Sequence, residues 1–218
     1  MNEHEFEPVR GLPGPLPPGE TVLWQGSPRP AALARRLFHL VPLAIYFAVL
    51  AAWSGILAAS SAPDAPVAVA VGGPVAMGLV AIVLLAALAA LMARTTVYTV
   101  TSRRLVLRIG VVLSITFNIP FGVVASAGLR RYRDGTGDLP ITLAGSDRIA
   151  YLHLWPHARP WRFARPEPML RCVPDADRVA SILAEAILAS QGAAVRAAAP
   201  ADPKDLSPAA APPLATAR

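Results

Sequence analysis

The sequence predicts an α+β membrane protein: a two-helix transmembrane hairpin, then an antiparallel β-barrel or sandwich closed by a C-terminal helix. Three observations carry that prediction. Two long uncharged apolar stretches lie between residues 37 and 93, short β-branched segments divided by turn residues fill 96–173, and one amphipathic stretch follows Asp175. Bulk composition agrees, because 54% hydrophobic residues, 16% charged residues and a mean hydropathy of +0.47 are too oily for an ordinary water-soluble domain. Aromatic residues make up only 6%. The apolar excess is therefore aliphatic and alanine, the composition of membrane helices. A single cysteine, Cys172, excludes an internal disulfide framework and a multi-cysteine zinc site.

Residues 1–36 read as a cytoplasmic arm. They open with Glu3, Glu5 and Glu7, continue with Pro13, Pro15, Pro17 and Pro18, and lack the basic and apolar regions of a secretory signal. Within the arm, Glu20-Thr-Val-Leu-Trp-Gln-Gly-Ser-Pro28 predicts a short strand or anchoring turn. Residues 37–59 and 67–93 are then free of formal charge at neutral pH. At about 1.5 Å per residue each spans a hydrocarbon core of roughly 30 Å. Gly72, Gly73 and Pro74 can kink the second span, and Trp53 suits the far interface of the first. Arg29, Arg35 and Arg36 precede the hairpin, Arg94, Arg103 and Arg104 follow it, and the short connection has no basic residue, so both termini are expected in the cytoplasm.

Residues 109–128 are also uncharged and pose a choice between a third crossing and strands. Strands are preferred. Ile115, Phe117 and Ile119 alternate with Ser114, Thr116 and Asn118, Pro120 and Gly122 interrupt the run, and another crossing would export an arginine-rich remainder. Residues 94–191 thus form the β domain, with strands near 96–101, 104–109, 111–117, 121–126, 128–133, 140–143, 148–154 and 169–173. A helix from Asp175 to about Ser190 follows, with Val179, Ile182, Leu183, Ala186 and Ile187 on one face. Residues 192–218, rich in Ala and Pro and without periodicity, are expected to be a disordered tail.

Two motifs together resemble bacterial membrane-anchored pleckstrin-homology-like domains: Gly19-Glu-Thr-Val-Leu-Trp-Gln-Gly-Ser-Pro28 ahead of the hairpin, and Tyr98-Thr-Val-Thr-Ser-Arg-Arg-Leu105 with Arg108-Ile-Gly110 after it. Ala34-Arg-Arg-Leu-Phe-His39, Tyr46-Phe47 and Ile115-Thr-Phe-Asn-Ile-Pro-Phe121 extend the likeness to the PuhB-type photosynthetic complex assembly proteins of purple bacteria. The resemblance implies a non-enzymatic factor of the inner, intracytoplasmic photosynthetic membrane that assists assembly of the reaction centre and core antenna. Its implied partners are the reaction-centre H subunit or other assembly proteins. Some portrayals of the family have three crossings, where the residues here predict two.

Net charge is 0 over residues 1–36, −1 over 37–93 and +7 over 94–218, giving +6 in all. A basic half after an apolar hairpin suits anionic lipid. The chain has no zinc-finger, RNP or basic-zipper pattern, so nucleic acid is not expected. Candidate membrane- or partner-binding residues are Arg35, Arg36, Arg103, Arg104, Arg108, Arg130 and Arg131, with Arg133 in the same cluster; a solvated basic face or a phospholipid pocket would use the same groups.

Trp155, Arg159, Trp161 and Arg162 form a loop whose residue types serve protein interfaces, the headgroup layer, or an ordinary surface. His39, near the start of the first span, is a weak candidate ligand for a pigment magnesium against a plain interfacial role. His153, His157 and Cys172 lack the spacing of a metal site, and no cofactor is expected. Asp134 and Asp138 flank Gly135 and Gly137 and read as turn residues. No phosphate loop, nucleophile elbow or paired carboxylates suggest an enzyme. Small residues in the second span, Gly72, Gly73, Ala76, Gly78 and Ala81 among them, would admit a client helix or a second copy. The weighed alternatives are a general lipid- or protein-binding module and a transporter accessory subunit.

Overall fold

The computed structural model describes residues 11–198 apart from 13, 62–65, 112 and 146–149, with side chains to Gly192. In chain order the elements are β1 (Val22–Gly26), α1 (Pro30–Arg36), α2 (Leu40–Ser61), α3 (Val67–Thr95), β2 (Val97–Thr101), β3 (Arg104–Ile109) and β4 (Ile115–Pro120). After a 3-10 turn at Phe121–Val123 come β5 (Val124–Ala127), β6 (Arg130–Arg131), β7 (Gly137–Leu143), α4 (Tyr151–Leu154), β8 (Met169–Val173) and α5 (Ala176–Ala198).

The first sheet runs β1-β2-β3-β4, antiparallel throughout. Its outer pair is unusual in sequence. Trp24 sits opposite Val100 and Gly26 opposite Tyr98, so α1, α2 and α3 together form the connection of what is otherwise a simple β-hairpin. Both ends of the helical hairpin consequently return to one sheet.

The second sheet has β5 and β6 along one side of β7 and β8 along the other, again antiparallel. The apolar sides of both sheets meet in a core of Tyr98, Leu105, Leu107, Ile119, Phe121, Leu139, Ile141 and Leu170. Val179, Leu183, Ala186 and Ile187 of α5 seal it, the period-3.6 face that the sequence predicts. The arrangement is a sandwich with a helical cover and not a closed barrel.

Both α2 and α3 are long and apolar enough to cross a membrane. They pack through small residues. A Cβ on Gly78 would lie 2.7 Å from Cβ of Phe47, so only glycine permits that approach. The large apolar groups point outward instead, among them Val49, Trp53, Ile56, Leu79 and Val83.

Several boundaries differ from expectation. Residues 37–39 precede the first long helix, which starts at Leu40, and α3 runs on to Thr95. The arm contains a helix, α1, with Pro30 in its first turn, where a missing N–H costs nothing. Tyr151–Leu154 is a helical turn and not the end of a strand, because Pro156 stops any ladder there and the segment folds back as a loop; residues 148–149 lie outside the described residues. The predicted strand 128–133 shortens to Arg130–Arg131. Strands rather than a long helix follow Ile109, as the alternation predicts, but the strand expected at 111–117 is Ile115–Pro120 and that expected at 121–126 is Val124–Ala127, because Pro120 and Gly122 turn the chain through Phe121–Val123; residue 112 lies outside the described residues. Helix α5 continues past the predicted end to Ala198, through the start of the predicted tail, while 199–218 lie outside the described residues.

Candidate functional site

Two neighbouring features stand out: a polar latch that ties the helical hairpin to the β domain, and an exposed aromatic loop. The latch starts with α1, which is amphipathic over a single short stretch. Ala32 and Leu33 are fully buried against Met92 of α3 and Cys172 of β8, with Leu37, Phe38 and Leu88 around them. Cys172 meets them because β8 bulges: opposite β7 it has a residue to spare, and Cys172 takes φ 49°. Its N–H donates to Asp138 Oδ1 at 2.8 Å, and its carbonyl accepts Arg29 N–H at 2.9 Å. Asp138 Oδ2 accepts the Tyr132 hydroxyl at 2.6 Å. Burial and then this carboxylate push the Tyr132 phenol up to about 12, and burial pushes the Cys172 thiol up to about 11. Asp138 is thus a buried acceptor where the sequence suggests a turn residue.

The basic end of α1 completes the latch. Asp134 receives Arg35 at 3.1 Å and Arg36 at 3.0 Å. Arg36 also donates to Thr136 Oγ1 at 2.7 Å and stacks its guanidinium 3.6 Å from the centre of the Tyr132 ring. Thr136 in turn donates its hydroxyl to Asp134. Those bonds, Thr136 first and Arg36 second, hold the Asp134 carboxyl well below the usual range.

The aromatic loop connects β7 to β8 and is pinned by His157. The Tyr98 hydroxyl accepts Arg171 N–H at 3.1 Å and lies 2.7 Å from His157 Nδ1, while Nε2 lies 3.3 Å from Thr96 Oγ1, so both ring nitrogens are hydrogen-bonded. Burial, then the Arg171 charge, lower the imidazole to about 3 and keep it neutral. Above this anchor the strands of the loop pair at Ala158 and Pro168, and Arg159 meets Glu167 at 2.7 Å. The outer part is apolar and uncovered: Leu152 is 84% exposed, Trp161 87%, Phe163 61% and Trp155 51%. Phe163 joins the two sides, touching Tyr151 at 4.8 Å and Trp161 at 6.4 Å between ring centres.

The residues named from sequence divide between these features and the sheet faces. Arg35 and Arg36 are drawn into the latch. Arg104 pairs with the buried Glu20 at 2.7 Å, whose carboxyl stays below its ordinary value because hydrogen bonds from Arg104 and Thr101 outweigh burial. Arg103 is exposed at the β2–β3 turn, Arg108 is half-buried on β3, and Arg130 reaches the Tyr132 ring at 5.5 Å. Arg131 pairs with Asp177 of α5 on the surface. Trp155, Arg159, Trp161 and Arg162 share the loop, Arg162 lying 3.9 Å from Glu167. His39 is exposed just before α2 at φ 52°, with Nδ1 3.0 Å from the Leu37 carbonyl. The sequence offers no sign of the Tyr98–His157 pair or of Thr96, because their partners lie about sixty residues apart.

The profile of the bacterial PH domain family matches residues 36–187. The chain belongs to the bacterial PH domain family. In this family member the matched segment begins at Arg36 of the latch and ends on α5, enclosing both helices of the hairpin. A Rhodobacter capsulatus protein described as an uncharacterized 23.7 kDa protein in the puhA 5′ region is 40% identical over 195 residues, covering 85% of this chain and 89% of that one. A crystal structure from Shewanella loihica, of a DUF1696 family protein with a pleckstrin-homology domain, is similar over 41% of this chain and 69% of its own. At 12% identity and a TM-score of 0.28 that likeness carries no weight.

Proposed function

We propose that this bacterial PH domain protein is a non-enzymatic assembly factor of the photosynthetic membrane, acting on nascent subunits of the reaction centre and core antenna. The observation that carries the reading is the 40% identical relative in the puhA 5′ region, matched over nearly the whole of both chains. The likeness to PuhB-type proteins supports the same role.

The helices support a membrane location. Outward-facing Val49, Trp53, Ile56, Leu79 and Val83 make a surface that water does not tolerate but lipid does. The pairing of β1 with β2 supports an even number of crossings between them, and the arginines flanking the hairpin support a cytoplasmic β domain. Client subunits, the reaction-centre H subunit among them, would meet the exposed flanks of the hairpin. There Gly72 and Gly73 have open space over their backbone, whereas Gly78 is used up inside the hairpin.

Tagged protein purified from phototrophically induced cells should bring down reaction-centre or antenna subunits. Its recovery without them, together with unchanged reaction-centre absorbance in membranes of a deletion strain, would refute the role. Family membership favours a second reading, a general PH-like lipid- or protein-binding module. Liposome flotation separates the two: headgroup-specific binding that survives high salt supports the module.

A further inference from the structure

We infer that the loop of residues 151–163 is an aromatic foot that enters the lipid headgroup layer beside the helical hairpin. This rests on the membrane location proposed above and adds a second, separate contact with the bilayer.

Position is the first ground. The loop is pinned through His157 to Thr96, the residue immediately after the last residue of α3. Its base therefore stands at the end of α3, on the side where the chain would emerge from the membrane. Trp155 is two residues from that anchor and Trp161 four, so their backbones lie within about 7 and 14 Å of it even if fully extended. The polar layer on each side of the hydrocarbon is roughly 5–8 Å deep, well within that reach.

Composition is the second. Leu152, Trp155, Trp161 and Phe163 are all more than half exposed on one excursion, an uncovered apolar cluster of the kind that marks an interaction surface. Trp161 is held at φ 65°, a conformation seldom adopted by a bulky residue and one usually retained where a side chain has a task.

Charge is the third and chooses lipid over a protein cleft. Between residues 150 and 168 the sole acid is Glu167, and it is buried against Arg159 and Arg162 at the base. Outside that cluster the segment presents the exposed Arg165 and the rings with no carboxylate, the combination that sits among anionic headgroups.

The test uses the full-length protein in nanodiscs of mixed zwitterionic and anionic phospholipid, with a bimane label at Ala164→Cys. That exposed position leaves every ring in place, and unsubstituted protein gives the background from buried Cys172. Headgroup-proximal nitroxide lipid should quench the label by about twofold or more, and aqueous iodide should reach it poorly. Adding Trp161→Ser and Phe163→Ser should reverse both results. A label at Val49→Cys near the middle of α2, read with nitroxide placed deep on the acyl chain, reports insertion of the hairpin independently. Quenching at Val49 with a water-exposed Ala164 overturns the foot and leaves the anchor standing. Loss of lipid quenching at both sites overturns both. Shielding of Ala164 only after reaction-centre subunits are added overturns the foot in favour of a protein partner.

Discussion

The latch and the loop are built from the same residue types and use them in opposite ways. In the latch Arg36 lies on Tyr132 and pairs with Asp134, so both the charge and the ring are spent within the molecule. In the loop Arg159 and Arg162 gather around Glu167 at the base while Trp161 and Phe163 project into open space. Residue identity alone does not separate a fastening from an interaction surface. What separates them is whether a carboxylate and a buried wall stand within reach.

That contrast breaks most sharply at Asp138. Its replacement by alanine strands the buried Cys172 N–H and frees the half-buried Tyr132 hydroxyl, and denaturant unfolding in detergent should show a loss of about 2–3 kcal/mol. The next effect belongs to the loop anchor. Folded His157 stays neutral down to about pH 3, whereas the unfolded imidazole takes a proton near 6.5. Stability is therefore complete above the unfolded value and falls as pH drops below it, by about 1.4 kcal/mol per pH unit. Melts at pH 7 and pH 5 should differ by about 2 kcal/mol, and His157→Gln should flatten the difference. Asp134, with its lowered carboxyl, adds a loss only below about pH 4.

Arg36→Met keeps the stem over Tyr132 but forfeits Asp134 and Thr136, and should cost about 1–2 kcal/mol with faster proteolysis between α1 and the β domain. Trp161→Gly should change the melting free energy by no more than about 0.5 kcal/mol, because the ring touches little and glycine tolerates the backbone angle. A large loss there would mean that the loop is a structural part and the contrast with the latch is wrong.

Much of the architecture is legible because it depends on local pattern. Ile115, Phe117 and Ile119 alternate strictly and become β4, and the apolar face of α5 follows from its spacing. Strand β7 begins three residues earlier than expected because Pro140, read as a strand opener, lies within it. Its missing N–H is harmless there, and its carbonyl still accepts Gly128 N–H at 2.9 Å. Helix α1, seven residues long, is too short for periodicity to reveal and is held by packing against Met92 and Cys172. The site divides similarly. The loop residues were legible from Trp and Arg composition. The latch was not, since Arg36 finds Thr136 across a hundred residues and Asp134 looks from sequence like any residue of a Gly-rich turn.

The insertion of the helices between β1 and β2 governs how the chain matures. Strand β1 leaves the ribosome some seventy residues ahead of its partner, and most of what is synthesised between them is the apolar pair α2 and α3. Its ladder cannot close until that segment has been made and has turned back. Completion of the sheet thus requires both helices: a chain that ends after one of them retains an unpaired β1 edge, the kind of edge that proteases and chaperones meet.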